Sequence, residues 1–104
     1  MEEILKGKKE GSKLFIVATY RSWEQGEEFD ETHYFDYRLI EAKDEKDAIE
    51  KYRELTKVEY FFPHIIAEAT DEFVKFMISE KVNLETLVDN QFIRLVSKFR
   101  KGII

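Results

Sequence analysis

Along the chain the apolar positions change their spacing, and each spacing predicts an element. Leu14-Phe-Ile-Val-Ala-Thr-Tyr20 is an uninterrupted apolar run rich in β-branched residues, the pattern of a central strand covered on both faces. Residues 21–31 form a polar, acidic connection containing Gly26. Thr32 to Ala42 then alternates, with His33, Phe35, Tyr37 and Leu39 on one face and Thr32, Asp36 and Arg38 on the other. Neighbouring strands joined by one connection pair antiparallel most often, so 14–42 reads as a long hairpin.

From Glu45 the spacing lengthens to the helical period. Ala48, Ile49, Tyr52 and Leu55 make one stripe over 45–56. Asp44 stands where a carboxylate accepts from the free N–H groups of the first turn, and Asp47 and Lys51 are placed for an i,i+4 pair. Residues 57–70 admit two readings. Either His64 to Ala69 is the third strand and Thr70 or Asp71 caps a helix starting at Glu72, or Val58 to Phe62 is the strand and Pro63 opens a helix reaching Glu80. The first is favoured. Asn83 caps a last helix in which Leu84, Leu87, Val88, Phe92, Leu95, Val96 and Phe99 recur at three- to four-residue steps, and Gly102 stops it. The expected order is ββαβαα: an α+β domain with a small antiparallel sheet, one helix crossing it and two C-terminal helices packed on or beside it. Residues 1–13, with Gly7, Lys8, Lys9, Gly11 and Ser12, read as a loosely held N-terminal arm, leaving 14–104 as a single domain.

Composition narrows the chemistry more than the fold. With no cysteine among 104 residues, disulfides, thiolate metal sites and cysteine nucleophiles are excluded. No secretory h-region follows Met1, and the longest near-apolar stretch, Leu14 to Ala18, is far short of the ~20 residues of a membrane span. The expectation is a cytoplasmic protein without a membrane partner. Nucleotide-binding, metalloprotease, EF-hand and hydrolase motifs do not occur, so no cofactor is expected and the chain reads as non-enzymatic.

Charge is unevenly spread over a net −5. Residues 21–36 carry six acids against Arg21, while 91–104 carry Arg94, Lys98, Arg100 and Lys101 and no acid. Three candidate sites follow. In the first, Trp23 and Phe29 are interleaved with Glu24, Glu27, Glu28, Asp30 and Glu31. An aromatic anchor among carboxylates suits a protein partner with a basic surface, unless Trp23 and Phe29 instead fold back as core. In the second, Arg94, Lys98 and Lys101, at i, i+4 and i+7, form a row able to meet phosphates of a nucleic acid, or to serve only solvation and the helix dipole. In the third, His33 and His64 act with Asp30, Glu31 or Asp36 as an acid–base pair of a small hydrolase. Nothing in the spacing makes them converge, and no metal site is expected. The preferred expectation is a protein-binding or regulatory accessory domain, inhibitor- or adaptor-like, using the acidic aromatic segment. A homodimer is compatible with the sequence, and the apolar end Ile103-Ile104 offers a docking element for a neighbour.

Overall fold

The computed structural model describes residues 1–21, 33–57 and 62–102. A short helix α1 (Glu2–Gly7) precedes strands β1 (Lys13–Arg21) and β2 (His33–Ala42). Helix α2 (Glu45–Thr56), strand β3 (Phe62–Ala69) and helix α3 (Asp71–Ser79) follow, then a 3-10 turn (Leu84–Thr86) and helix α4 (Asp89–Gly102). The three strands form one antiparallel sheet in the order β2-β1-β3, giving the α+β architecture expected from the sequence.

The apolar run becomes the central strand because it has neighbours on every side. Leu14, Ile16 and Ala18 face one layer and Phe15 and Val17 the other, and all are buried. Helix α2 covers the second face through Ala48 and Tyr52. Against the first face lie α3, through Phe73, Val74 and Met77, the 3-10 turn, through Leu84, and α4, through Phe92. The third strand corresponds to the reading centred on 64–69. Thr70 Oγ1 accepts from the Phe73 N–H at 3.1 Å to start α3. The rival strand at 58–62 lies mostly outside the described residues. On α2, Asp44 accepts from the Asp47 N–H at 2.8 Å, Asp47 pairs with Lys51 at 3.3 Å, and the stripe holds except at Leu55, which is exposed.

Two features depart from the sequence pattern. The alternation of β2 slips at Asp36. Val17 stands opposite Arg38 but Thr19 opposite Phe35, so β2 carries one extra residue there, and Asp36 takes the left-handed conformation at φ 53. The bulge brings Tyr34, rather than Phe35, onto the core face shared by Tyr37 and Leu39. The bulge is itself tied down: Tyr52 Oη donates to the Asp36 carbonyl at 2.8 Å and lies 2.6 Å from Thr19 Oγ1. Since a phenol has one hydrogen, the Thr19 hydroxyl donates to Tyr52.

The last helix is also shorter than its periodicity suggests. Asn83 Oδ1 accepts from Glu85 N–H at 3.2 Å and caps only the 3-10 turn. Leu87 is extended, and α4 begins afresh at Asp89. Phe92 is buried, whereas Leu87, Leu95, Val96 and Phe99 are half-buried against the same core. Helix α4 leaves an apolar groove of about 370 Å³ between itself and β3, walled by Ile66, Phe73, Val96 and Phe99. Within residues 1–13, α1 packs Met1, Ile4 and Leu5 against the core.

Candidate functional site

At the end of the sheet where β1 stops and β2 and β3 start, aromatic side chains meet on the face that carries α3 and α4. Tyr20 stands opposite Tyr34 on β2 and opposite Phe62 on β3, and His64 opposes Ala18, two residues back along β1. Residues directly opposite share a face, so this register alone assembles the group. The Tyr20 and Tyr34 rings lie edge to face with centroids 5.7 Å apart, and His64 sits 5.4 Å from Tyr20 and 5.9 Å from Tyr34. Phe62, opposite Tyr20 in the strand register, has 68% of its surface exposed.

Helix α4 fixes the floor of this surface through its first residue. The Asp89 carboxylate accepts from the Tyr34 N–H at 2.9 and 3.1 Å and from the Tyr37 hydroxyl at 2.9 Å. An acid in the first turn also meets the positive end of the helix dipole. Tyr37 is buried and its ring stacks on Phe92 at 5.0 Å. Burial first, and then the bond to Asp89, push the Tyr37 phenol well above its ordinary range. On the opposite face burial also raises the Tyr52 phenol, although the Thr19 hydroxyl works against it. Among the described residues no buried side-chain nitrogen or oxygen lacks a partner.

The candidate residues distribute unevenly over this framework. Trp23, Glu24, Glu27, Glu28, Phe29, Asp30 and Glu31 lie outside the described residues, on the connection between Arg21 and His33, the neighbouring ends of β1 and β2. His33 opens β2, and His64 joins the aromatic group. Asp36 is occupied at the bulge, where its carboxylate accepts from Arg38 Nε at 2.7 Å while Arg38 Nη1 reaches Glu85 at 2.7 Å. Among the described residues no three His, Asp or Glu side chains are grouped to hold a metal ion, and no helix is long and apolar enough to cross a membrane. Of the basic row, Arg94 and Lys101 are exposed, and Lys98 donates to Glu80 of the α3 end at 2.8 Å. The sequence reading missed Tyr20, Tyr34 and Phe62 as a group, because their union depends on the register of three strands. No protein-family model, curated protein or solved structure matches the chain.

Proposed function

We propose that this chain is a protein-binding accessory domain whose contact surface is the aromatic end of the sheet together with the acidic segment tethered there. The observation that carries this reading is Phe62, two-thirds exposed and directly opposite Tyr20, whose ring meets those of Tyr34 and His64. Large aromatics that gain burial on association dominate interface energetics, and this group is held by strand pairing and by Asp89, so little ordering remains to oppose binding. In the sequence, the segment from Trp23 to Glu31 follows the last residue of β1, Arg21, after a single serine. Its five carboxylates suit steering of a basic partner, and Trp23 supplies a second anchor.

A photo-crosslinking residue placed at Phe62 in the native host tests this, with the same residue at exposed Lys46 on α2 as control. The expected result is a discrete protein adduct from position 62 only. Trp23→Ala in the same chain should diminish that adduct, weakening the partner by at least ~2 kcal/mol with little change in the melting temperature. Identical adduct patterns from both positions, or a Trp23→Ala chain that unfolds, would refute the proposal.

A further inference from the structure

We infer that the groove between β3 and α4 is the contact face of a symmetric homodimer, filled in solution by the same groove of a second copy. Phe73 and Phe92, both buried, form its floor, and half-buried Ile66, Val96 and Phe99 its walls. Three polar residues and Ala67 complete the lining. Thr70 has its hydroxyl committed to the Phe73 N–H. Glu68 on the β3 wall and Arg100 on the α4 wall are exposed, and neither has an ion-pair partner among the described residues. Ile93 lengthens the α4 wall. With Val96 and Arg100 it is spaced i, i+3, i+7, one side of the helix, and 62% of its surface meets solvent. An apolar side chain so exposed beside an apolar groove extends a patch of the kind that marks association.

The placement of the two charges identifies the occupant. A groove with an anion on one wall and a cation on the other is complementary to itself. When a second copy is turned about a two-fold axis running along the groove, its α4 wall lies over the β3 wall of the first. Each Arg100 then meets the partner's Glu68, and the pair forms twice because an isologous contact repeats every interaction. The same rotation sets Ile93 and Val96 of each copy against the β3 wall of the other. Apolar residues are covered and charges pair at the margin, the anatomy of a homodimer interface. A partner surface of a single sign would instead leave Glu68 or Arg100 beside a like charge. Closure comes from side chains and not from strand pairing, so assembly stops at two copies. Tyr20, Tyr34, Phe62 and His64 do not line the groove, and the inference stands apart from the aromatic end.

Sedimentation equilibrium of the full chain tests this. With rising concentration the mass should climb from the 12.5 kDa of one chain to a plateau at twice that value. Arg100→Glu and Glu68→Arg should each raise the dimer dissociation constant at least about tenfold, with the circular dichroism spectrum unchanged because both positions are exposed. Ile93→Asp, also at an exposed position, should weaken the dimer likewise. An equal mixture of Arg100→Glu and Glu68→Arg should recover the dimer, since both contacts then join opposite charges. A wild-type chain that stays monomeric throughout overturns the inference. So does a dimer indifferent to the single reversals, which would have to form through another face, or a mixture that stays as dissociated as its components.

Discussion

One hydroxyl joins two layers of this domain. Tyr37 Oη donates to Asp89, so a buried residue of β2 holds the first turn of α4 against the sheet. A hydrogen bond to a charged acceptor contributes about 1.5–3 kcal/mol, and Tyr37→Phe keeps the ring stacked on Phe92 while deleting it. Urea denaturation should show a loss of that size. Phe92→Ala, which empties a buried position, should cost about 3–5 kcal/mol. The same phenol sets the alkaline limit. The Tyr37 and Tyr52 values are raised on folding above the ordinary value of about 10, so their neutral forms are favoured by the native state. Their contribution is complete below about pH 10 and is lost as pH climbs past it, because the unfolded chain ionises first. A stability profile from pH 8 to 12 should fall, and less steeply in Tyr37→Phe. On the acid side the sign reverses. The Lys9 N–H holds the Glu41 carboxyl, and the Lys43 N–H that of Asp47, below the usual range. What they contribute is present above about pH 4 and disappears as pH falls through the folded-state values.

Elements begin and end here by local chemistry. Asp44 and Thr70 cap their helices as their positions suggest, and Lys57 ends α2 in the left-handed conformation at φ 53. That conformation costs a residue with a Cβ about 1–2 kcal/mol, part of which glycine returns as lost chain entropy. Lys57→Gly should raise stability by about 0.5–1 kcal/mol in a urea melt. The first two strands, the order of elements along the chain and the two capped helices are legible in the sequence because each rests on signals a few residues apart, whereas the third strand admits two readings. The bulge at Asp36 is not. Nothing in the pattern of apolar side chains records that Tyr52 Oη accepts from Thr19 and donates to the Asp36 carbonyl, a contact spanning three elements. The break before α4 is hidden for a related reason. A 3-10 turn from Leu84 followed by extended Leu87 keeps Leu84, Leu87 and Phe92 on the core side while Val88 is turned out to solvent, so the spacing runs on although the helix does not. The aromatic end is not legible as a group: the sequence offers His64 only as an acid–base candidate, and its union with Tyr20, Tyr34 and Phe62 depends on strand register.

Among the described residues the sheet is covered on both faces, yet no strand pairs with the outer edge of β3. That edge is irregular. Pro63 has no N–H to offer a neighbour, and the shift between Ile16 and Val17 places one extra residue in β3, between Ile65 and Ala67. Glu68 adds an exposed charge on the same strand. Each is a device that keeps an edge from templating another chain. The consequence concerns behaviour at high concentration, where a straight edge would recruit copies into fibrils. A chain carrying Pro63→Val and Glu68→Val with Ile66 deleted should seed thioflavin-positive fibrils from native-like protein. The parent, incubated alongside at the same concentration, should stay clear and filterable.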